Sequence, residues 1–404
     1  MEPLLSRPTS TSADDAPVVS YVQQLLEKAV AMKASDLHFE PYEHHYRVRI
    51  RIDGELREMA TPHMALKDRL ASRLKVLSRL DIAEKRLPQD GRMKLQLGDG
   101  RSLDLRISTL PTLFGEKLVV RILDSAQAQL DLTRLGYEPE DLARLIQAIR
   151  APHGMVLVTG PTGSGKTQSL YACLNMLNTS EVNIATVEDP CEIQLAGINQ
   201  VNVQDKPGLT FAVALRAFLR QDPDILMVGE IRDLETAHIA VQAAQTGHLV
   251  LSTLHTNDAP GTLVRLRNMG LAPYNIAASV TLITAQRLVR CLCVHCKQAT
   301  QVPSAVLHQA GLGLEFLPKE QVEVFTPVGC EHCHKGFSGR TGIFQVMPVS
   351  ADMQNLVLGD AVGQEVAKLA QREGVPSLRV AGLRKVLQGI TSLDEVLAAT
   401  REEE

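Results

Sequence analysis

An apolar segment that runs directly into a glycine-rich loop, at residues 155–167, constrains the fold of this chain most strongly. Residues 155–158 are apolar and partly β-branched, which predicts a buried parallel strand. The sequence that follows, GPTGSGKT, has the form G-x-x-x-x-G-K-S/T, in which the backbone N–H groups of a tight turn surround a polyphosphate. Its residues are Gly160, Pro161, Thr162, Gly163, Ser164, Gly165, Lys166 and Thr167. We expect this loop to bind a nucleoside triphosphate; the alternative is a strand-to-helix turn that binds no nucleotide.

Two side chains of this loop have predicted roles in binding phosphate and metal. Lys166 is expected to reach the β- and γ-phosphates, and the hydroxyl of Thr167 is expected to ligate Mg²⁺. The glycines allow the backbone to approach the anion, and the helix that begins near Lys166 directs its positive end towards it. The cofactors predicted from this loop are therefore a nucleoside triphosphate and Mg²⁺.

Length and composition limit the remaining possibilities. A chain of 404 residues is expected to form two or three domains. Its net charge of −4 argues against nucleic acid as the main partner. No apolar run approaches the roughly 18 residues of a membrane span, and the N-terminus lacks the pattern of a secretory signal. Residues 1–16 are rich in Ser, Thr, Pro and Asp without periodicity, which predicts disorder.

Residues 17–130 are predicted to form a small α+β domain with mostly antiparallel strands. Helical spacing of apolar residues begins at Val18, and an alternating segment at 47–52 ends at the hairpin signal Asp53-Gly54. A second amphipathic helix and further strands follow. The domain has no P-loop or catalytic pair of its own, but several arginines lie near its turns. They are Arg86, Arg92, Arg106 and Arg121, and each alone is better explained as a solvated surface residue.

Residues 131–404 are predicted to form an α/β domain built around the P-loop. Strands predicted at 155–158, 183–187, 225–228 and 249–253 alternate with helices, which indicates a parallel sheet covered on both faces. Ligands of such sheets bind at the carboxyl ends of the strands, so catalytic groups are expected there.

Polar residues flank three of the predicted strands. Glu188 follows the strand at 183–187, and Glu230 follows the strand at 225–228 after one glycine. His248 and His255 bracket the strand at 249–253. Triphosphate hydrolysis needs a held Mg²⁺ and a group that orients the attacking water. Glu230 suits the metal, directly or through water, and Glu188 suits water activation, because only one carboxylate ends the strand at 225–228. The histidines could sense the γ-phosphate, and the division of roles between the two glutamates stays open.

Four linked motifs resemble those of the secretion ATPase superfamily: GPTGSGKT, ATVEDPCEI, LRQDPDILMVGEIRD and TGHLVLSTLHTNDAP. Within it the chain resembles the assembly ATPases of type IV pili and of type II secretion (GspE-like). The stretch AGINQVNVQDKPGLTFAVALRAFLRQDPD is closer to the pilus assembly (PilB-like) branch. The resemblance covers about residue 16 to the C-terminus. Because such proteins commonly carry a further N-terminal domain, we expect either a short member or a truncated one.

The resemblance implies a RecA-like ATPase core preceded by a PAS-like domain, a homo-hexamer, and nucleotide bound between the two domains. It also implies that Arg106, in DLRISTLP, and Arg121, in VVRIL, approach the γ-phosphate, whereas Arg86 and Arg92 are weaker candidates. An arginine on a mobile domain would stabilise the transferring phosphoryl group and couple hydrolysis to domain rotation.

Two C-x-x-C pairs, separated by 33 residues, predict a structural zinc site. Its ligands are Cys293, Cys296, Cys330 and Cys333. The family resemblance also places a zinc subdomain here, at about residues 290–340, followed by closing C-terminal helices. Alternative ligands are His295, His332 and His334, and Cys291 lies just before the first pair. The remaining alternative is a set of four buried free cysteines.

The favoured function is that of a cytoplasmic hexameric ATPase that acts on an inner-membrane platform protein to assemble a type IV pilus. A type II secretion ATPase that assembles a pseudopilus is the alternative. A nucleic-acid translocase is opposed by the acidic charge and the scarcity of aromatic stacking residues. A nucleotide switch that barely hydrolyses is a third possibility.

Overall fold

The computed structural model describes residues 16–98, 100–123, 130–204, 206–317, 319–359 and 363–401. The chain divides into two compact units, Met1–Gln127 and Ala128–Glu404. The boundary suggested by the sequence lies between residues 130 and 131. The disorder predicted for residues 1–16 falls outside the described residues except at Ala16, which begins the first helix.

Unit 1 contains a six-stranded antiparallel sheet with the order β3-β2-β1-β6-β5-β4. Its strands are β1 (Asp36–Pro41), β2 (Tyr46–Ile52), β3 (Glu55–Ala60), β4 (Gln89–Gln96), β5 (Ser102–Thr112) and β6 (Gly115–Leu123). Its helices are α1 (Ala16–Ala31) and α2 (Lys67–Leu77). The predicted hairpin at Asp53-Gly54 joins β2 to β3, and both residues have positive φ, of 50° and 88°. The PAS-like character of this unit stays a prediction.

The two faces of this sheet differ because side chains alternate along each strand. In β2, Tyr46, Val48 and Ile50 are buried with the apolar faces of α1 and α2, whereas the intervening arginines are partly exposed. The second face is consequently rich in charge. Cross-strand register places one row of charged residues across that face: Arg51, Asp36, Arg121, Arg106 and Arg92.

Unit 2 is built on a seven-stranded sheet with the order β15-β12-β7-β11-β10-β8-β9. Its first strands and helices are α3 (Pro139–Ile149), β7 (Gly154–Thr159), α4 (Lys166–Leu177), β8 (Ile184–Glu188), β9 (Asn199–Asn202), α5 (Phe211–Phe218), β10 (Ile225–Val228), α6 (Leu234–Gln245) and β11 (Leu249–Leu254). Next come α7 (Ala259–Asn268), α8 (Pro273–Ser279), β12 (Val280–Leu292), β13 (Gln298–Pro303), α9 (Ser304–Gln309), β14 (Gln321–Thr326) and β15 (Phe337–Pro348). The chain ends with α10 (Ala351–Leu358), α11 (Gly363–Arg372), α12 (Leu378–Leu387) and α13 (Leu393–Ala399).

The four strands predicted from apolar runs form the centre of this sheet and are all parallel. All residues of β7, β8, β10 and β11 are buried, as expected for strands with helices on both faces. Two long strands were not predicted. β12 is parallel to β7, and β15 pairs antiparallel with β12, so the complete sheet is mixed. The polar pair Gln286-Arg287 interrupts the apolar pattern of β12 and conceals it in the sequence.

The cysteine-containing segment leaves the sheet at the C-terminal end of β12 and returns to it at the N-terminal end of β15. Between these strands the chain forms α9 and the two-stranded sheet β13-β14. A small apolar cluster, which includes Leu307, Val324 and Leu383, packs this excursion against α12. The helices predicted near the C-terminus correspond to α10, α11 and a longer α12, whereas α13 was not predicted. None of the helices in the described ranges has the length and apolarity needed to cross a bilayer.

Candidate nucleotide and metal sites

The P-loop connects the buried strand β7 to α4 through three glycines with left-handed φ angles. These angles are 146° at Gly160, 80° at Gly163 and 89° at Gly165, a region that glycine enters without steric cost. Gly165 is the N-cap of α4, and no side chain caps this helix end. The N–H groups of the first turn are therefore left for an anion, and the loop geometry fits the predicted triphosphate.

Lys166 folds back over the loop that precedes it. Its Nζ donates hydrogen bonds to the carbonyl oxygens of Gly160, at 2.8 Å, and of Pro161, at 3.1 Å. Burial lowers the pKa of Lys166 to about 8, while the nearby charge of Glu230 opposes this shift and that of Arg287 adds to it. An ammonium group that has lost hydration in this way gains strongly from an anionic partner.

Glu230 and His255 meet at the carboxyl ends of β10 and β11. His255 Nε2 lies 3.6 Å from Glu230 Oε2, and Arg232 donates a hydrogen bond to the same carboxylate. Burial lowers the pKa of His255, and the charge of Lys166 lowers it further. The carboxylate of Glu230 opposes both effects, so the charge of His255 depends on Lys166 and Glu230 together. Lys166, Glu230 and His255 form one electrostatic group, as their positions in the sequence suggest.

Glu188 is held in a different environment, at the end of β8. It is only 4% exposed. Three side chains donate hydrogen bonds to its carboxylate: the hydroxyl of Tyr171, Thr186 Oγ1 at 2.7 Å and Gln200 Nε2 at 3.2 Å. Burial raises the pKa of Tyr171, and Glu188 raises it further, so the phenol remains a donor. This geometry favours an anchoring role for Glu188 in the conformation described.

His248 lies away from the phosphate end of the sheet. It immediately precedes β11, its carbonyl accepts a hydrogen bond from Gly154 N at 3.1 Å, and its Nδ1 lies 3.0 Å from the carbonyl oxygen of Ala243. A six-residue strand is about 20 Å long. His248 precedes the N-terminal end of β11 and His255 follows its C-terminal end, so the two side chains are separated by the length of the strand. The expectation that His248 lies with His255 at the phosphate end of the strands is therefore wrong, whereas a role of His248 in sensing the γ-phosphate stays a prediction.

Three further residues contact the site and were not identified from the sequence: Tyr171, Gln286 and Arg287. Gln286 is 2% exposed and hydrogen-bonds to the P-loop. Arg287 donates to the carbonyl and side-chain oxygens of Asn257, at 3.1 and 3.0 Å, on the loop after β11. Burial lowers the pKa of Arg287. The one available signal was the polar pair Gln286-Arg287 inside an apolar run; Tyr171 gave none.

The arginines of unit 1 lie side by side on its charged face. Arg106 is the cross-strand partner of both Arg92 and Arg121. Arg121 Nε donates to Asp36 Oδ1 at 3.0 Å, whereas a guanidinium nitrogen of Arg106 lies 4.0 Å from Asp90 Oδ1. Three guanidinium groups therefore belong to neighbouring positions of adjacent strands on this face. Arg86 is highly exposed and bonds locally to Glu84.

The four predicted cysteine ligands lie close together, two of them just after the C-terminal end of β12 and two just before the N-terminal end of β15. Their Sγ atoms all lie within 4.8 Å of one another. The distances are 3.8 Å between Cys293 and Cys330, and 3.7 Å for both Cys296–Cys333 and Cys330–Cys333. A tetrahedral Zn²⁺ with bonds of about 2.3 Å requires sulfur separations of about 3.8 Å, so the thiols fit this ion.

Backbone groups around these cysteines also suit thiolate ligands. Gly329 N donates to Cys296 Sγ at 3.3 Å, and Cys330 N donates to Cys333 Sγ at 3.2 Å. Among the described residues, the ligand group around this point contains the four cysteines and no histidine. The rings of His295 and His332 instead face each other, with centroids 4.6 Å apart.

Comparison with known proteins decides the family. A profile described as "Type II/IV secretion system protein" matches residues 11–398. The chain belongs to the type II/IV secretion system protein family. This membership and the P-loop together make the chain an ATPase, as predicted.

Several relatives of this family are highly similar over nearly the whole chain. The type IV pilus assembly ATPase PilB of Acinetobacter baylyi is 57% identical over 389 residues, which are 96% of this chain and 67% of that protein. PilB of Pseudomonas aeruginosa is 53% identical, over 97% of this chain and 69% of that protein. The type II secretion system protein E of Aeromonas hydrophila is 48% identical, over 96% and 77%.

Solved structures confirm the α/β fold. The pilus retraction motor PilT with bound ADP aligns with a TM-score of 0.63 and 23% identity, over 94% of this chain and 97% of that chain. The ATPase DotB of Legionella pneumophila aligns with a TM-score of 0.65 and 20% identity, over 97% of both chains.

Proposed function

We propose that this chain is the ATPase motor of a type IV pilus assembly machine. The observation that carries the proposal is the identity of 53–57% to three type IV pilus assembly ATPases, against 47–49% to several type II secretion proteins. A type II secretion ATPase remains the second candidate, because those relatives also match more than nine-tenths of the chain.

We propose that ATP binds the P-loop with its triphosphate on the N–H groups of residues 160–167. Lys166 would turn from its carbonyl partners to the β- and γ-phosphates, and the hydroxyl of Thr167 would ligate Mg²⁺, which neutralises phosphate charge when bound. The depressed pKa of Lys166, caused by burial, supports this role, because the phosphates would restore its full charge.

The two glutamates are proposed to have different roles. Glu230 has Lys166 and His255 as electrostatic neighbours, and we assign to it the contact with Mg²⁺ and the orientation of water. His255, with its lowered pKa, could respond to the γ-phosphate through Glu230. Glu188 was first expected to activate water; its three donors lead us to propose that it chiefly anchors the acidic loop that follows β8.

The proposal extends to a homo-hexamer in which Arg106 and Arg121 act on the γ-phosphate. Its support is the row of adjacent guanidinium groups, which like-charge repulsion makes ready for an anion. The four-cysteine centre is proposed to hold one structural Zn²⁺, since all four tetrahedral positions would be occupied by protein ligands. A location at the cytoplasmic face of the inner membrane, through a platform protein, completes the proposal.

Stimulation of ATP turnover by the correct partner tests the function. The purified chain should hydrolyse ATP steadily, and the cytoplasmic region of a type IV pilus platform protein should stimulate it more than that of a type II secretion platform protein. The reverse preference would favour type II secretion. Stimulation by DNA that disappears at high salt would instead indicate a nucleic-acid translocase. A single turnover without steady hydrolysis would indicate a nucleotide switch.

A further inference from the structure

Gln286 occupies an unusual position for a polar side chain. It lies within β12, one residue beyond the part of that strand that pairs with β7, and is 2% exposed. A buried primary amide is costly unless its donor and acceptor atoms are both paired. Both are paired here. Nε2 donates to the carbonyl oxygen of Ser164 at 2.7 Å, and Oε1 accepts from Ser169 Oγ at 2.8 Å.

These partners belong to the P-loop and to the helix that follows it. The orientation of the amide is unambiguous, because the Ser164 carbonyl can only accept and must therefore face Nε2. Ser169 lies on the first part of α4 and is itself buried. One side chain on a neighbouring strand thus connects the phosphate loop with its helix.

The backbone and side chain of Gln286 also touch two of the loop glycines. A Cβ atom at Gly160 would lie 2.5 Å from the Gln286 carbonyl oxygen, and one at Gly165 would lie 3.2 Å from Gln286 Nε2. The P-loop therefore contacts Gln286 at three places: Gly160, Ser164 and Gly165. Glycine at position 160 is required by this contact as well as by its positive φ.

The hydrogen bond to Ser164 has a direct consequence for phosphate binding. The peptide group between Ser164 and Gly165 is planar and trans, so its C=O and N–H point in opposite directions. When Gln286 holds the carbonyl on the outer side of the loop, the N–H of Gly165 is directed to the inner side. That inner side is where a P-loop presents its donors to phosphate.

We propose that Gln286 is a positioning residue for the polyphosphate. It fixes the Ser164–Gly165 peptide in the orientation that binds the anion, before the nucleotide arrives. Preorganised donors raise affinity because their ordering costs nothing at the moment of binding. This inference rests on the proposed binding of ATP by the P-loop, and the tests of the two can be separated.

The main test compares two buried glutamines on adjacent strands. Gln345 on β15 is 6% exposed, and its Oε1 accepts from Ala259 N at 2.9 Å, so it serves α7 and not the P-loop. The full chain is prepared as Gln286→Met, Gln345→Met and Lys166→Ala. The dissociation constant for ADP with Mg²⁺ is measured by calorimetry, KM and kcat for ATP by steady-state assay, and the melting temperature without nucleotide.

Both methionine variants should lose thermal stability, but only Gln286→Met should weaken ADP binding, on the order of tenfold or more, with a matching rise in KM. Equal dissociation constants for the two methionine variants would overturn the inference. If Lys166→Ala also binds ADP normally, the proposed P-loop function itself fails. If Lys166→Ala loses affinity while Gln286→Met keeps it, only the role of Gln286 fails.

A milder variant keeps the inference testable should Gln286→Met not fold. Ser169→Ala removes the partner of Oε1 and frees the amide to rotate, without altering β12. The dissociation constant for ADP should then rise about threefold, and the melting temperature should fall by several degrees, because Gln286 Oε1 loses its buried donor. An unchanged dissociation constant in this variant would count against positioning by Gln286.

Discussion

Replacement of Tyr171 by phenylalanine removes one oxygen from the centre of unit 2. The Tyr171 side chain is fully buried, and its hydroxyl donates to Glu188 while Glu192 N, at 3.2 Å, approaches it as a donor. Phenylalanine fills the same space, so no cavity term arises. The carboxylate of Glu188 would lose one of three side-chain donors, and the backbone N–H of Glu192 would lose the Tyr171 oxygen as an acceptor.

The expected magnitude follows from these two losses. The hydrogen bond to the charged Glu188 contributes about 1.5–3 kcal/mol, and the bond from Glu192 N, which belongs to an exposed residue, contributes about 0.5–1 kcal/mol. We therefore expect the free energy of unfolding to fall by about 2–4 kcal/mol. For a unit of this size each kcal/mol corresponds to about 2–4 °C, so the melting temperature should fall by roughly 4–16 °C.

The assay is thermal unfolding followed by circular dichroism at fixed protein concentration, with Tyr274→Phe as the matched control. Tyr274 is 65% exposed, and its variant should melt like the wild type. A double-mutant cycle with Glu188→Gln measures the interaction energy between Tyr171 and Glu188. The loss in the double variant should be smaller than the sum of the single losses by 1 kcal/mol or more, on the order expected for groups in contact. Additive losses, or a melting temperature unchanged in Tyr171→Phe, would refute the anchoring of the acidic loop through this hydroxyl.

Other expectations concern the nucleotide, the arginines and the metal. Because the pKa of Lys166 is about 8 in the free protein and phosphates raise it, ADP binding at pH 8 should take up about half a proton. Calorimetry in buffers of different ionisation enthalpy measures this proton uptake. The Lys166→Ala variant should lose both the proton uptake and ATP turnover. Uptake that persists in that variant would assign the proton elsewhere. Arg106→Ala and Arg121→Ala should leave ADP affinity nearly unchanged and lower turnover about 10³-fold, with poor rescue by lysine; normal turnover in both alanine variants would exclude unit 1 from catalysis. Metal analysis should find one zinc per chain and less in Cys330→Ser, and removal of zinc by acid or a chelator should lower the melting temperature; a metal-free wild type that is folded and active would contradict a structural zinc.

Local sequence patterns were sufficient to predict the structure wherever it depends on residues that are neighbours in the sequence. The P-loop follows from one glycine-rich segment, and the central strands β7, β8, β10 and β11 follow from short apolar runs with little polar interruption. The four cysteines were identified because the C-x-x-C spacing is itself the geometry of a metal knuckle. In unit 1, the alternating segment predicted at 47–52 corresponds to β2, whose residues are alternately buried and partly exposed.

Strand direction and register required the tertiary structure. His248 and His255 are equivalent in the sequence, since they bracket one strand, yet β11 separates them by its full length. β12 and β15 escaped prediction because their polar residues face specific partners and break the apolar pattern. Gln286 is an example: it reads as an interruption of a strand until the P-loop is packed against it.

The sequence by itself determined the chemistry of this protein: the phosphate loop, the carboxylates at two strand ends and the four thiols. The tertiary structure decided which side chains hold that chemistry in place. Gln286 and Ser164 are 122 positions apart, and Tyr171 reaches Glu188 from a different secondary-structure element. Such contacts depend on the path of the chain and on which strands become neighbours. The physical reason is that periodicity records how buried a residue is, whereas the identity of its partner is set only when the sheet is assembled.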